Sequence, residues 1–163
     1  MDNSNNVDIS RITDSMKPPE FRIQKLQDFF AYTLPLTKNN EQYLMIEQID
    51  KRQSNTIHYY VIDDGITVIG RFDIGYSELD YGITYHIVDE FQNRGIGQIA
   101  LKFVVGQLFN KYGATRIRIL AINDRSRSIA QKSGFRRKTE KLYELSATEF
   151  QRDRSKENEL EER

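Results

Sequence analysis

The chain has 163 residues, and its 24 Lys and Arg balance its 24 Asp and Glu, so the formal net charge at pH 7 is zero. This length suits one compact domain, and the charge balance gives no general attraction to nucleic acid or to an anionic membrane. The absence of Cys excludes disulfides, thiolate zinc sites and a Cys nucleophile.

The first third of the chain predicts one strand and two helices. Alternating residues from Val7 to Arg11 indicate a short first strand. A Pro-Pro pair can open a helix at Pro18, and the sequence Leu34-Pro35 ends it. A second helix is predicted from Asn40, a good N-cap residue, to about Arg52.

A β-hairpin and a further strand follow these elements. His58–Ile62 and Thr67–Ile74 are rich in β-branched and aromatic residues, and they flank a turn that contains Gly65. Tyr81–Val88 has the same character. We therefore expect three consecutive strands, which are the second, third and fourth of the chain.

From there the pattern alternates between helix and strand. Gln98–Lys111 places apolar side chains on one helical stripe, and Ala114–Ile122 is typical of a buried strand. Asn123 or the next residue caps a short helix that Gly134 ends. Phe135–Leu145 then supplies one or two strands.

The sequence gives no support for secretion or for a membrane span. No apolar stretch could cross a membrane, and the first residues have neither a basic end nor an apolar core, so we expect a cytoplasmic protein. Residues 151–163 are nearly all charged or polar. We expect them to form a frayed helix or a disordered tail.

The segment Gln92–Gly97 lies between the fourth predicted strand and the amphipathic helix. Gly95 and Gly97 let the main chain approach a ligand closely, and a helix that begins here presents unpaired N–H groups and a positive dipole end. Such a turn can bind a pyrophosphate, or it can be a strand-to-helix turn without a ligand. Ala100 stands where a dinucleotide-binding fingerprint needs a third Gly, and no Lys-Ser/Thr pair completes a P-loop.

At these residues the sequence resembles the GNAT superfamily of N-acetyltransferases, whose cofactor signature is Gln/Arg-x-x-Gly-x-Gly/Ala after a strand. Gln92–Gly97 matches every fixed position of that signature. After the next strand the family has an Asn, and the branch that acetylates ribosomal-protein N-termini (RimJ/RimL-like) adds a Ser and a Gly-Phe pair. Here these residues are Asn123, Ser126 and Gly134-Phe135.

The resemblance implies a single N-acetyltransferase domain at residues 1–150, with a mixed α/β fold, a mostly antiparallel central sheet and helices on both faces. In the family the fourth and fifth strands splay, and the pantetheine arm of acetyl-CoA enters the gap as an extra strand would. The amides of the signature bind the pyrophosphate, and the Asn holds the pantetheine. The residues assigned to acetyl-CoA in this way are Tyr85, His86, Ile87, Gln92, Asn93, Arg94, Gly95, Ile96, Gly97, Asn123 and Ser126.

Two residues are candidates for the catalytic proton transfers. The resemblance makes Ser126 the proton donor to the departing thiolate, and His86 is the candidate base because imidazole titrates near pH 7. The ordinary alternatives are a first-turn helix Ser, a structural His and, for Asn123, a plain helix cap. Other family members use a Glu and a Tyr for catalysis, and the corresponding residues here are Arg118 and Ala130. The catalytic roles of that Glu and Tyr therefore cannot be assigned in this chain.

The sequence therefore predicts transfer of an acetyl group from acetyl-CoA to a primary amine of a protein N-terminus or a small molecule. No metal, nucleic acid or membrane is expected as a partner. The alternatives are a catalytically weak acyl-CoA-binding regulatory module of the same fold and a nucleotide-binding module. Only about ten residues separate Phe135 from Leu145, so the sheet needs either a shortened hairpin or a strand from a partner subunit in a homodimer.

Overall fold

The computed structural model describes residues 29–50, 53–64, 67–92 and 94–161. The predicted strand at Val7–Arg11 and most of the predicted helix from Pro18 lie outside these residues. A 3-10 turn at Asp89–Phe91 precedes the signature segment. The strands and α-helices in chain order are β1 (Phe29–Thr33), β2 (Leu44–Ile49), β3 (Thr56–Asp63), β4 (Thr67–Ser77), β5 (Asp80–Ile87), α1 (Ile96–Asn110), β6 (Arg116–Leu120), α2 (Asp124–Lys132), β7 (Arg136–Arg137), β8 (Leu142–Ser146) and α3 (Ala147–Glu161).

The eight described strands form one sheet in the order β1-β2-β3-β4-β5-β6-β8-β7. β5 and β6 are parallel, and the other neighbouring pairs are antiparallel. A connection through α1 joins the parallel pair, because parallel strands need a long crossover. The predicted mixed α/β fold with a mostly antiparallel sheet is confirmed, and the fourth and fifth predicted strands are β5 and β6.

One face of the sheet, here called the inner face, packs against α1. Phe72 and Ile83 of the sheet and Leu101 and Leu108 of the helix are buried together in the main core. Each fully buried side chain of this kind contributes roughly 1.5–3 kcal/mol. Because side chains alternate along a strand, the other residues of β4 and β5 point to the opposite, outer face. A smaller apolar cluster around Tyr60 lies there.

The elements on either side of the signature segment agree with the sequence prediction. β3 and β4 form the predicted hairpin, with a register shift between Val61 and Ile62. α1 begins at Ile96 and buries the predicted apolar stripe, and α2 begins directly after Asn123. The signature segment therefore lies between a strand and a helix, as the sequence predicted.

The predicted helix from Asn40 to Arg52 is wrong, because this segment forms β2. Tyr43 and Met45 are buried in the inner-face core, whereas Ile46 is buried in the outer-face cluster. A strand buried on both faces gives a continuous apolar run, and periodicity alone does not distinguish such a run from a helix. Asn40 has a φ of 60° in a turn and caps no helix.

The prediction that the first helix continues to Leu34 is also wrong. Phe29–Thr33 is a strand that pairs antiparallel with β2 and lies at one end of the sheet that the described residues form. The pairing extends past the strand, since the Leu34 N–H donates to the Tyr43 carbonyl at 2.9 Å. Aromatic residues and Thr fit a pleated, half-buried surface, and that packing prevails over the helical pattern.

The carboxyl-terminal part completes the sheet with a shortened hairpin. β7 has two residues and pairs with β8, which in turn pairs with β6. α3 follows, with Phe150 stacked on Phe109 at a centroid distance of 4.6 Å and Asp153 bonded to Arg136 at 2.9 Å. Residues 151–161 continue this helix, and residues 151–159 are mostly exposed. Within the described ranges, the helices lack the length and apolar character needed to cross a membrane.

Candidate active site

β5 and β6 are paired over only part of their length. Their parallel register runs from the pair Asp80 and Arg116 to the pair Ile83 and Ile119. Beyond that point β5 continues to Ile87 beside β4, whereas β6 is paired only with β8 and ends at Leu120. A gap therefore opens between the carboxyl ends of the two parallel strands, as the resemblance implied.

The main chain of β5 offers hydrogen-bonding groups to this gap. Leu79 O accepts from the Thr115 N–H, on the β6 side, at 2.8 Å. The Val88 N–H donates to Ile69 O, on the β4 side, at 2.8 Å. Successive residues of a strand alternate between its two neighbours. Tyr85 and Ile87 therefore direct their main-chain groups into the gap, whereas those of His86 face β4.

The signature segment lies at the end of the gap. Gln92 Nε2 donates to Ile87 O at 2.7 Å, which ties the segment to the end of β5. Gly95, the N-cap of α1, has a φ of 80°, a conformation that Gly adopts without steric cost. The first turn of α1 contains no acidic residue and receives no side-chain cap. Its first N–H groups have no partner within the helix, and together with the helix dipole they favour an anion at this end.

A cleft of about 530 Å³ joins the gap to the amino end of α1. Ile96 belongs to the buried core, and Arg94 lies 3.5 Å from the Glu41 carboxylate, so neither side chain lines the cleft. Asn93 is outside the described residues. The predicted residues that do line the cleft are Tyr85, His86, Ile87, Gln92, Gly95, Gly97, Asn123 and Ser126.

Asn123 and Ser126 form a capping box at the start of α2. Asn123 Oδ1 accepts from the Ser126 N–H at 2.8 Å, and Ser126 Oγ accepts from the Asn123 N–H at 3.3 Å and donates to Asn123 O at 3.0 Å. Both residues thus perform the ordinary structural role considered for them. The cap does not use the Asn123 Nδ2 group, so any ligand contact from that amide is additional.

His86 and Tyr85 are neighbours on β5 and point to opposite faces. His86 is exposed on the outer face, in register with Arg71. Tyr85 packs on the inner face and stacks on Phe72 with ring centroids 5.1 Å apart. Its buried hydroxyl has no hydrogen-bond partner among the described residues. Burial raises the pKa of Tyr85 to about 12, so the hydroxyl is a neutral donor at neutral pH.

Three cationic side chains line the same cleft and were missed in the sequence. They are Lys38 in the turn between β1 and β2, and Arg125 and Lys132 on α2. Their positive charge complements the amino end of α1 as a site for a phosphorylated ligand. These residues belong to no motif, and only the fold brings them together. Across the described ranges, no three His, Asp or Glu side chains are grouped so that they could hold a metal ion.

The chain matches the Acetyltransferase (GNAT) domain family over residues 11–136. This match covers more than half of the chain, and the chain belongs to that family. The resemblance based on Gln92–Gly97 and Asn123 is thereby confirmed. Among curated proteins, none matches the chain.

Solved acetyltransferases have similar folds. The ribosomal-protein-S5-alanine acetyltransferase from Vibrio fischeri is 16% identical, with a TM-score of 0.54 over 59% of this chain and 64% of that one. RimJ from Mycobacterium smegmatis, solved with CoA-disulfide, is 21% identical, with a TM-score of 0.53 over 60% and 56%. The aminoglycoside acetyltransferase AAC(6')-Ib, solved with coenzyme A, is 19% identical, with a TM-score of 0.55 over 63% and 73%. The chain spans less than two thirds of the length of the first two proteins. At identities this low, the structural similarity shows a common fold alone.

Proposed function

We propose that this protein transfers an acetyl group from acetyl-CoA to a primary amine by direct attack. The observation that carries the proposal is the cleft that runs from the gap between β5 and β6 to the amino end of α1. One end offers strand groups that lack a neighbouring strand, and the other is a helix start suited to an anion. Acetyl-CoA has groups in the same order, a thioester and amides followed by a pyrophosphate.

In this proposal the pantetheine arm lies beside β5. Its amides pair with main-chain groups of Tyr85 and Ile87, as an added strand pairs with a sheet edge. The Asn123 Nδ2 group is the further donor on the β6 side. Family membership supports this placement, and the direction of the β5 main chain favours Tyr85 and Ile87 over His86 as the strand partners.

The phosphates of the donor lie at the other end of the cleft. The amides of Gly95–Gly97 and the dipole of α1 bind the pyrophosphate. Lys38, Arg125 and Lys132 supply positive charge around it. Asp124 is the carboxylate that lines this cleft within the described residues, and it lies 3.0 Å from the Arg127 guanidinium, which offsets its repulsion of the phosphates.

The reaction needs a neutral amine, because a protonated amine has no lone pair for attack. In the proposed mechanism His86, directly or through water, takes the proton from the amine. The neutral amine nitrogen then bonds to the thioester carbon, and the carbon–sulfur bond breaks. The thiolate takes a proton from Ser126, which regains one from the acylated nitrogen, directly or through water, and the proton on His86 returns to solvent. No covalent intermediate with the protein is required. Ser126 must first turn its hydroxyl away from Asn123 O, which accepts that proton in this structure.

That hydrogen bond favours a second candidate function, a catalytically weak acyl-CoA-binding module. An assay of CoA thiol release with a panel of primary amines separates the two functions. The proposal predicts acetyl-CoA-dependent thiol release with at least one amine, and mass spectrometry should show that amine 42 Da heavier, about the mass added by one acetyl group. Binding of acetyl-CoA without amine-dependent release supports the module, and absence of binding contradicts both.

A further inference from the structure

The outer face beside the gap carries an apolar patch. Leu120 is 63% exposed and Ile122 is 72% exposed, and they are the most exposed large hydrophobic side chains among the described residues. Ala121 between them is fully buried, so both point away from the main core. The pair lies at the carboxyl end of β6, directly before Asn123 at the cleft.

The inner face beside the gap is occupied by α1, α2 and the cleft that we assign to acetyl-CoA. Ile87 of β5 and Ala130 of α2 are buried in the main core together with the apolar side of α1. Under the proposed function the thioester lies in the gap, so an amine reaches it from the outer face. An amine on that path passes His86 on one side and Leu120 and Ile122 on the other.

The charges of the outer face disfavour a polycationic acceptor. Asp80 is bonded to Arg116 at 2.6 Å and lies 3.5 Å from Arg118, whose Nε lies 3.2 Å from Glu144. Asp73, on the next strand, is bonded to Arg71 at 2.8 Å. The described carboxylates on the outer face of β4, β5 and β8 are therefore already neutralised by arginine. A second positive charge on the acceptor therefore finds no unpaired carboxylate among the described outer-face residues of these three strands.

We infer that Leu120 and Ile122 contact the acceptor and select a primary amine with an apolar group next to the nitrogen and no second positive charge. The inference rests on the proposed function, because it places the thioester in the gap. Burial of the acceptor's apolar group against two exposed aliphatic side chains provides the affinity. The neutralised carboxylates provide the selectivity against aminoglycoside-like or polyamine substrates.

Two matched peptides and a double variant test this inference. Leu-Gly-Gly amide and Arg-Gly-Gly amide each carry one α-amine and differ in the second positive charge, and spermidine adds a polycation. We expect kcat/KM for the Leu peptide to exceed that for the Arg peptide and spermidine at least tenfold. The variant Leu120→Ser with Ile122→Ser should raise KM for the Leu peptide at least tenfold, with kcat and the Kd of acetyl-CoA changed less than twofold.

The control is Leu79→Ser, which removes an exposed leucine, 46% accessible, in the turn between β4 and β5. It should leave KM for the Leu peptide unchanged. Preference for spermidine or the Arg peptide, or an unchanged KM in the double variant, overturns the inference while the transfer activity stands. If no amine releases CoA thiol from the wild-type protein, the proposed function fails, and this inference fails with it.

Discussion

The Ser126 hydroxyl is held by the residue that caps its own helix. Ser126 Oγ donates to Asn123 O at 3.0 Å and accepts from the Asn123 N–H at 3.3 Å. Both residues also line the cleft that we assign to acetyl-CoA. A catalytic role for Ser126 therefore requires its proton to move from a structural bond to the leaving thiolate.

Ser126→Ala separates these two roles. If Ser126 protonates the thiolate, kcat should fall while the Kd of acetyl-CoA changes little, because the proton is needed only late in the reaction. The Asn123 cap on the main-chain N–H of residue 126 remains, so loss of the Ser126 side-chain bonds should lower the free energy of unfolding by only about 1 kcal/mol or less. Ser128→Ala, on the same helix and in the same cleft, is the control for kcat. A normal kcat for Ser126→Ala would assign the hydroxyl to the cap alone.

His86→Gln tests the proposed base. The rate should fall by about 10²–10⁴, and the acidic limb of the pH–rate profile should flatten, because the titrating group is gone. Thr84→Ala changes the neighbouring outward-facing residue of β5 and should retain the limb. Near-normal turnover of His86→Gln with an unchanged limb would exclude His86 as the base.

His58, the other histidine of the chain, is buried between two carboxylates. Its Nδ1 lies 2.6 Å from Asp73 Oδ1, and its Nε2 lies 2.9 Å from Asp50 Oδ2. Burial lowers the pKa of the imidazole, but the hydrogen bonds with Asp73 and Asp50 outweigh burial and raise the pKa above its usual 6.5. Protonated His58 therefore adds stability that is fully present below pH 6.5 and is lost as the pH rises through the folded-state pKa.

Urea unfolding at a series of pH values checks this linkage. The wild-type free energy of unfolding should decrease as the pH rises from below 6.5 through the raised pKa of His58. His58→Gln should remove that decrease and should be least stable relative to wild type at the acidic end. His86→Gln should keep the wild-type dependence. The same slope in His58→Gln and wild type would show that His58 is not the group responsible.

The ion pair of Glu47 and Lys111 provides a stability prediction. Glu47 is fully buried and is hydrogen-bonded to both Tyr59 and Lys111. Lys111→Met should lower the free energy of unfolding by on the order of 3 kcal/mol, because it leaves a buried carboxylate without its cation. Adding Glu47→Gln should recover much of that loss. Lys102→Met, at an exposed position of α1, should have little effect, and equal effects at both lysines would contradict the pairing.

The part of the chain around the cleft could be predicted because each of its elements carries a local signal. Gly95 and Gly97 mark the start of α1, its apolar stripe marks the helix, and Asn123 marks the start of α2. These signals are separated by short stretches of chain. Local turn and cap chemistry therefore agreed with the final fold.

The amino-terminal strands and the charges of the cleft could not be predicted in this way. β2 is buried on both faces, and the Glu47 that interrupts its apolar run finds its cation 64 residues away. Lys38 and Lys132 are likewise brought to one cleft only by the sheet and by α2. Such tertiary pairing leaves no local pattern in the sequence.

Calorimetric titration of acetyl-CoA into wild type, Gly97→Ala and Gly97→Asp tests the central claim, that donor phosphates lie at the amino end of α1. A Cβ at Gly97 would lie 3.0 Å from Ile129 Cδ1, so Gly97→Ala reports the cost of packing alone. A carboxylate in the first helical turn is compatible with the helix but repels phosphate. We predict that Gly97→Asp binds at least tenfold more weakly than Gly97→Ala, about 1.4 kcal/mol. Equal affinities of the two variants would contradict the assignment of the cleft to acetyl-CoA.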